Sequence, residues 1–370
     1  MKVNEILFMM LQHVNRITQK NNFNRYIKKY PLEKMFLLFL YHQFTGLDYG
    51  RSLVLQLQGL VAQSGIIPSQ SELSKKLSYR LHLKPWEEMF WYIVQEIKRI
   101  KNKRVRKELK KILIIDSSHL TATPTMKWAR HRKGKNGLKL HMVSDSDTIP
   151  QAFLLKQGNS SDKKSLQWAI EEGYTYIFDR GYTDYTMFCW IEQQGAFFIT
   201  RAWSNIHYQV VKRRKVGYRQ KEKGVIADAE IEVIRSRKTG ERAQFRMIVF
   251  EFIDSNGQHQ TFTVLTNRRD LRSDDIAAFY RQRWNIEVFF YWIKSYLKVD
   301  HWMSRSPRGV MIQLYTALIA YLLVLYAKYS NALPVTIKRD YVYVYSGIIV
   351  SIIQQFTKPI HFNKMLQFSG

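Results

Sequence analysis

Two short apolar runs in the middle of the chain, ILIID (112–116) and YTYIFD (174–179), each end on an aspartate. Upstream of residue 112 the apolar residues recur at helical spacing, whereas downstream they alternate or run together as they do in strands. Asp116 and Asp179 would then lie at the carboxyl edge of a sheet, where open α/β sheets bind their ligands. The pattern predicts an α/β fold with a functional site at that edge.

The segments around these two runs predict a mixed sheet with flanking helices. Further strands are expected at 137–145, 150–158 and 196–202, and helices at 163–173 and 184–195. The stretch 206–267 differs, because its strand-like runs AEIEVIRS, FRMIVFEFI and QTFTVLTN are separated by turn-rich clusters. It predicts a β-rich insertion with no helix between its strands. One long helix is expected to follow, from about Asp274 to Leu297.

Residues 1–95 have helical periodicity, and a short helix in this region could begin at Ser69 or Ser71. Its exposed face would offer three basic side chains, Lys75, Lys76 and Arg80. A solvated surface helix is favoured over a DNA-reading helix-turn-helix for this segment. The dense basic run at 98–111 is typical of a linker or a solvated face.

The charge of the chain indicates a polyanionic partner. There are 58 Lys and Arg against 30 Asp and Glu, a formal net charge of +28 at pH 7. Nucleic acid is the first candidate and an anionic membrane surface the second. The apolar stretch Val310–Tyr326 is shorter than the roughly 20 residues of a membrane span and contains Gln313. It is therefore predicted to be a buried core helix.

Two further features indicate the compartment. Cys189 is the single cysteine, which excludes an internal disulfide and a cysteine-based zinc site. The N-terminal sequence has neither the apolar run nor the cleavage site of a signal peptide. We expect a cytoplasmic protein.

Four polar residues, Tyr280, Arg283, Glu287 and Lys294, share one side of the predicted long helix. At about 100° per residue they fall within an arc of about 60°. An apolar stripe beside this arc would pack the helix on the sheet and hold the polar side chains near the strand-end acids. An ordinary i,i+4 ion pair between Arg283 and Glu287 explains two of the four residues, but it does not explain their common alignment.

The spacing Tyr280–x2–Arg283–x3–Glu287–x6–Lys294 resembles the YREK signature of the IS-four group of bacterial insertion-sequence transposases. The sequences IIDSS around Asp116, FDRGYTDY around Asp179 and TVLTNRR before the helix resemble other blocks of that group. The resemblance covers about residues 110–326. It implies a ribonuclease H-like α/β fold: a mixed sheet with flanking helices, interrupted by a β-rich insertion domain and preceded by an α-helical domain.

On this resemblance we expect five segments along the chain. They are a helical DNA-binding domain (1–105), the first part of the catalytic core (106–205), the β-rich insertion domain (206–267), the second part of the core with the glutamate-bearing helix (268–330), and a C-terminal segment that packs on the core or a partner (331–370).

The resemblance also implies that Asp116, Asp179 and Glu287 are the catalytic residues and bind two Mg²⁺ ions, with Mn²⁺ as an alternative. Hard divalent ions prefer carboxylate oxygens, and two of them stabilise the attacking and leaving oxygens of a displacement at phosphorus. Activated water would nick the DNA, and the freed 3′-hydroxyl would attack the next phosphate.

DNA contacts are implied for Tyr280, Arg283 and Lys294, at the phosphates near the cut. The basic run Lys212, Arg213, Arg214 and Lys215 would give the insertion a phosphate-tracking surface. In one member of this group a tryptophan of the insertion domain stacks on a base flipped out during hairpin formation. Alignment of the strand before the helix puts Phe262 at that place instead of a tryptophan. Stacking on DNA and a core strand position both stay open for Phe262.

Simpler roles are expected for the remaining polar residues of the core. Asp162 and Asp184 are predicted to cap helices, and Asp145 and Asp147 to form a turn. Lys139 and His141 share one strand face and could reach phosphate, but a half-exposed strand face is favoured for them.

The favoured function is cut-and-paste DNA transposition at terminal inverted repeats. Its partners would be double-stranded DNA, as element ends and as target, and a second copy of the chain in a homodimer, without a membrane. The location would be the bacterial cytoplasm, at the nucleoid. Two alternatives stay open: a ribonuclease H-like nuclease or resolvase without strand transfer, and a non-catalytic DNA-binding protein.

Overall fold

The structure is a computed structural model that describes residues 2–24, 31–45, 69–101, 111–131, 135–162, 166–235, 239–253 and 257–330. Contacts divide the chain into a helical unit (Met1–Arg104, Leu120–Gly137, Phe290–Gly370) and a sheet unit (Val105–His119, Leu138–Phe289). The predicted C-terminal segment and most of the basic run 98–111 lie outside the described residues. The boundaries of the five expected segments stay predictions.

The helical unit contains α1 (Lys2–Lys20), α2 (Leu32–Thr45), α3 (Gln70–Lys75), α4 (Lys84–Lys101) and α9 (Pro307–Tyr329), numbered in chain order. Ser69 is the N-cap of α3, because its hydroxyl accepts the Glu72 amide at 3.2 Å. A π-helical turn, Lys76–Arg80, continues α3. Lys76 is buried there, so the prediction of an exposed face with three basic residues is wrong at this position.

The helix α9 contains the long apolar stretch and is buried along nearly its whole length. Among the described residues, α9 is the one helix that is long and apolar enough to cross a membrane. Because it is buried inside the protein, it is the core helix predicted from the sequence. Its polar residue Gln313 is satisfied, since it accepts from the Met303 amide (2.7 Å) and donates to the His301 carbonyl (2.8 Å).

The sheet unit is built on a nine-stranded mixed sheet, as expected, with strand order β3-β2-β1-β4-β5-β9-β8-β7-β6. Strands β1, β4 and β5 are parallel neighbours, and the strands after β5 pair antiparallel. The bounds are β1 Ile112–Thr121, β2 Gly137–Ser144, β3 Pro150–Gln157, β4 Thr175–Phe178, β5 Phe197–Arg201, β6 Tyr208–Arg213, β7 Val225–Ile234, β8 Arg242–Ile253 and β9 His259–Thr266.

The β-rich stretch differs from its prediction in two respects. It forms four strands rather than three, and they extend the same sheet beyond β5. A short helix, α6 (Tyr218–Glu222), stands between β6 and β7, where no helix was expected. Its first turn is stabilised by the side chain of Gln220, whose Oε1 accepts the Gly217 amide at 2.8 Å.

Three longer helices also follow the strands of the sheet unit: α5 (Tyr185–Gln193), α7 (Ser273–Arg281) and α8 (Trp284–Ser295), the last of which continues into the helical unit. Asp184 caps α5 as predicted, accepting the amides of Thr186 and Met187. Phe188 of α5 stacks on Phe198 of β5 with ring centroids 4.3 Å apart, which fixes the helix on the sheet.

The helix predicted at 163–173 is wrong only in its later part: Leu166 is helical, a 3₁₀ turn follows at Gln167–Ala169, and residues 170–173 are not helical, while 163–165 lie outside the described residues. The Glu171 amide donates to the hydroxyl of Tyr176 at 2.8 Å, and Gly173 takes a left-handed φ of 77°. The backbone donor of Glu171 is thereby used outside a helix, and the chain turns into β4.

The single helix expected from Asp274 to Leu297 is also wrong, because a turn at 282–283 divides it into α7 and α8. Bonds of the i→i+3 type occupy the junction: the amides of Gln282, Arg283 and Asn285 donate to residues three positions earlier. Such tight turns redirect the chain, so the side-chain arc calculated for a continuous helix does not hold.

A buried ion pair anchors the loop that leads into α7. Arg246 of β8 binds Asp228 of β7 through two nitrogens, at 2.9 and 2.7 Å. Its third nitrogen donates to the carbonyls of Arg268 (3.0 Å) and Leu271 (2.6 Å). Both charged side chains are almost completely buried, so each depends on the other.

Replacing Arg246 by methionine should lower the free energy of unfolding by about 3–5 kcal/mol, because Asp228 is left as an unpaired buried charge. Urea unfolding of the two proteins measures this difference. The matched control is Arg242→Met on the same strand, whose partner Glu232 lies at 2.7 Å in a more exposed pair. The control should lose less than about 1 kcal/mol. Equal losses in the two variants would contradict a specific anchoring role.

Candidate active site

The parallel pairing of β1 with β4 brings Asp116 and Asp179 to one edge of the sheet. The expectation that the first strand ends at Asp116 is wrong, because β1 continues through it to Thr121, whereas β4 ends just before Asp179. Ile114 of β1 is paired with Ile177 of β4. Asp116 and Asp179 each come two residues later, so they lie side by side at the same level. The structure therefore brings these two predicted site residues together.

The third acid, Glu287, reaches this edge from the first turn of α8. Its Oε1 lies 2.6 Å from the guanidinium of Arg283, which also lies 3.9 Å from Oδ2 of Asp116. Arg283 therefore stands between the carboxylates of Asp116 and Glu287. Its side chain is 13% exposed, so solvent screens these charges only partly.

The carboxyl of Asp116 is strongly affected by its surroundings. Burial raises its pKa to about 7, and the negative charges of Glu287 and Asp179 act in the same direction. The Ser117 amide, which donates to Oδ1 at 2.7 Å, and the guanidinium of Arg283 lower the pKa. A carboxyl poised in this way gains from a bound cation, and such groups are typical of functional sites.

Tyr280 and Phe262 belong to an aromatic group beside the acids. Tyr280 is buried at the end of α7, and burial raises its pKa to about 12. Its ring lies 6.4 Å from the half-buried ring of Phe262, over which the guanidinium of Arg201 is centred at 4.0 Å. Phe250 and Phe252 also pack against Phe262.

The remaining predicted DNA contacts lie elsewhere in the chain. Lys212 and Arg213 are exposed on β6, and Lys215 is exposed after it. Arg214 differs, because it pairs with Glu230 at 3.2 Å and donates to the Arg269 carbonyl. Lys294 lies in the last turn of α8, in the helical unit, where burial lowers its pKa.

The structure reveals a site feature that the sequence patterns did not predict. The guanidinium of Arg180, the residue after Asp179, stacks 4.9 Å above the exposed ring of Trp203. The position of Arg180 directly after Asp179 is the sequence signal that could have identified the arginine of this pair, but no signal identified Trp203. A second feature that the sequence patterns did not predict is the contact of Ser117, the residue after Asp116, with Asp162, which in turn pairs with Lys139.

The three acids have the chemistry that a divalent cation requires, since all their donors are carboxylate oxygens. In the described part of the chain no group of three or more His, Cys, Asp or Glu side chains is arranged as ligands of one ion. The guanidinium of Arg283 holds the position between Asp116 and Glu287 instead. The oxygen donors of the three acids fit a hard metal ion. In this structure the positive charge of Arg283 offsets the negative charges of Asp116 and Glu287.

Comparison with known proteins identifies the family of this chain. A family model described as a transposase DDE domain matches residues 107–323, which is more than half of the chain. The match includes Asp116, Asp179 and Glu287. The chain belongs to the DDE transposases. Members of this family are enzymes that cut and join DNA and use divalent metal ions.

Three relatives agree with this assignment. A transposase of Sinorhizobium fredii is 32% identical over 64% of this chain and 67% of its own length. An insertion-sequence transposase of Geobacillus stearothermophilus is 26% identical, over 60% of this chain and 59% of its own length. One from a Synechocystis species is 23% identical, over 59% of this chain and 62% of its own length. The aligned part of this transposase thus covers about three fifths of the length of the Geobacillus and Synechocystis proteins.

The pKa of Asp116 predicts a pH-dependent stability in metal-free buffer. Because its folded pKa is raised to about 7 from the ordinary 3.8, the folded state holds a proton that the unfolded state releases between these values. Stability is therefore lost as the pH rises from about 4 to above 7. Replacing Asp116 by asparagine should remove this loss, so the variant gains in melting temperature over the unmodified protein as the pH rises.

Thermal melts from about pH 5 to about pH 8, with chelator present, measure this difference. Asp270→Asn, at a mostly exposed aspartate, is the control and should show no such pH-dependent gain. A constant difference between Asp116→Asn and the unmodified protein at every pH would contradict the account.

Proposed function

We propose that this transposase excises its element by cutting DNA at the terminal inverted repeats and inserts it by strand transfer. The observation that supports this most is the joining of Asp116, Asp179 and Glu287 at one sheet edge around Arg283. These three acids come from distant parts of the sequence, and all lie within the region that matches the DDE domain.

We propose that the three carboxylates hold two Mg²⁺ ions, for which Mn²⁺ can substitute. When bound, the ions would supply activation of water and neutralisation of charge at the phosphate. The raised pKa of Asp116 supports this proposal, because an acid that is costly to ionise alone is stabilised by a nearby cation.

The residues around the acids are proposed to bind and orient the DNA backbone. Arg283 presents a planar guanidinium that suits two phosphate oxygens. Lys294, which belongs to the helical unit and not to the group beside the acids, is proposed as a separate point-charge contact to phosphate. Tyr280 stays protonated at neutral pH, since its pKa is raised to about 12, and it can therefore donate a hydrogen bond to a phosphate.

For Phe262 the surroundings favour the core role over stacking on a flipped base. The guanidinium of Arg201 covers its ring at 4.0 Å, and Phe250 and Phe252 pack against it. A base would have to displace one of these neighbours. A hairpin step through this residue is therefore not part of the proposal.

The exposed basic side chains of the β-rich stretch are proposed to track DNA phosphates. Lys212, Arg213 and Lys215 are solvent-exposed. Arg214 instead pairs with Glu230 and donates to the Arg269 carbonyl, so its guanidinium is already engaged within the protein. Two element ends must be joined in one reaction, so we also propose a homodimer on double-stranded DNA. The five segments expected from the sequence are proposed as its domain organisation.

Replacing Asp116, Asp179 or Glu287 individually by alanine should lower the nicking rate on end-bearing DNA by about a thousandfold or more, because each removes a ligand of the reacting centre. Binding of the same DNA should persist. Gel assays of nicked and joined products, with and without Mg²⁺, measure the reaction. Glu222→Ala, at an exposed residue of α6, is the control.

Two outcomes of that assay would overturn the proposal. Full cutting activity in the Asp116→Ala or Glu287→Ala protein would exclude the three-carboxylate mechanism. Cut DNA that is never joined to a target would instead support a nuclease or resolvase, and binding that is indifferent to divalent ions, without cutting, would support a non-catalytic DNA-binding protein.

Removing the exposed basic residues should change the salt dependence of DNA binding. The combined Lys212→Ala, Arg213→Ala and Lys215→Ala variant should reduce the slope of log K against log salt by up to about 3, since each phosphate contact contributes about 0.9. Fluorescence anisotropy over a range of salt concentrations measures the slope. Arg214→Ala is the matched control and should change it little; equal changes would contradict the proposed surface.

A further inference from the structure

A group of four polar side chains, two of them buried, lies next to Asp116, outside the three carboxylates. It consists of Ser117 of β1, Lys139 and His141 of β2, and Asp162 after β3, and is called the Asp162 cluster below. Lys139 and His141 are 7% and 1% exposed. The sequence-based prediction of a half-exposed strand face is therefore wrong for both. Burial of a lysine is costly unless its charge is paired and hydrogen-bonded.

Asp162 is the centre of this cluster. Its Oδ2 accepts from the ammonium of Lys139 at 2.7 Å, and its Oδ1 accepts from the hydroxyl of Ser117 at 2.7 Å. The imidazole Nδ1 of His141 lies 3.6 Å from the same Oδ1. Lys139 of β2 thus holds one oxygen of Asp162 and Ser117 of β1 holds the other, while the side chain stays 29% exposed.

Ser117 joins the cluster to the catalytic carboxyl. Its side chain donates to Asp162, while its backbone amide donates to Oδ1 of Asp116 at 2.7 Å. The other oxygen of Asp116, Oδ2, faces Arg283. One hydrogen bond therefore fixes which oxygen of Asp116 is directed toward the remaining members of the site.

We propose that Asp162 is a positioning residue of the transposase, which holds Ser117 so that its amide orients Asp116 for metal binding. This inference rests on the proposed function, because it assumes that Asp116 is a metal ligand. Partners that orient a ligand in this way commonly contribute 10–100-fold to metal affinity or activity.

The charges of the cluster are suited to this role. Burial lowers the pKa of His141 to about 4, so its imidazole is neutral at pH 7 and Lys139 supplies the positive charge that compensates Asp162. The cluster then adds no net charge beside Asp116. It can orient the carboxyl without competing with a metal ion or with DNA phosphate.

A purely structural ion pair is the alternative, and a set of variants separates the two. Ser117→Ala removes the link while leaving the Lys139–Asp162 pair intact, and Ser117→Thr keeps the hydroxyl. Ser118, the next residue of the same strand, shares the face of Asp116 and not that of Ser117, so Ser118→Ala is the matched control for a hydroxyl lost near Asp116 without loss of the link to Asp162. Asp162→Asn tests the centre of the cluster directly.

Mn²⁺ affinity of the full-length protein, measured by calorimetry, is the primary readout, with nicking kinetics and melting temperature measured in parallel. Ser117→Ala and Asp162→Asn should each weaken Mn²⁺ binding about 10–100-fold. Both should lower kcat with little change in KM for end-bearing DNA. Ser117→Thr should restore most of the affinity, and Ser118→Ala should match the unmodified protein.

Two results would overturn the proposal. The first is Mn²⁺ affinity within about twofold of the unmodified protein in Ser117→Ala, while Asp116→Asn abolishes binding. The second is an Asp162→Asn protein that loses melting temperature alone. If Asp116→Asn itself leaves Mn²⁺ affinity unchanged, the proposed metal site fails instead, which separates failure of the function from failure of the positioning role.

Discussion

Three carboxylates close together repel one another, and the guanidinium of Arg283 is the group that offsets this repulsion in the sheet unit. It lies 2.6 Å from Glu287 and 3.9 Å from Asp116, largely shielded from solvent. Arg283 stands in the turn between α7 and α8, so the break that divides the expected helix also places the compensating charge. The cluster is stable with a cation nearby and costly to ionise without one, as the raised pKa of Asp116 shows.

The rest of the sheet unit holds these charges in place. Parallel pairing of Ile114 with Ile177 sets Asp116 and Asp179 at one level, and the Asp162 cluster adjoins Asp116 through Ser117 of β1. In the β-rich stretch, Arg246 is held by its buried ion pair with Asp228 and donates to two carbonyls of the loop before α7. The loop from which α7 begins is therefore held in place, and with it the turn that contains Arg283 and the helix α8 that contains Glu287.

Much of this arrangement could be predicted from local patterns. Short apolar runs that end on acids identified β4 and the first half of β1, and the strand–helix–strand alternation from β4 to β5 indicated a mixed sheet. The turn at 282–283 could not be predicted, because the apolar periodicity continues across it. The Asp162 cluster was also missed: Ser117 and Asp162 are 45 residues apart, and only the position of β2 in the sheet shows that Lys139 and His141 are buried. Contacts made through tertiary structure leave no periodic signal in the sequence.

The central claim is that Asp116, Asp179 and Glu287 form the metal site at which this transposase cuts DNA. Anomalous scattering from crystals of the full-length protein with an uncleaved element end and Mn²⁺ tests it most directly. We expect anomalous density in contact with oxygens of all three carboxylates and of the scissile phosphate. Mn²⁺ bound at other residues, with Arg283 still joining Asp116 to Glu287 beside bound DNA, would contradict the account.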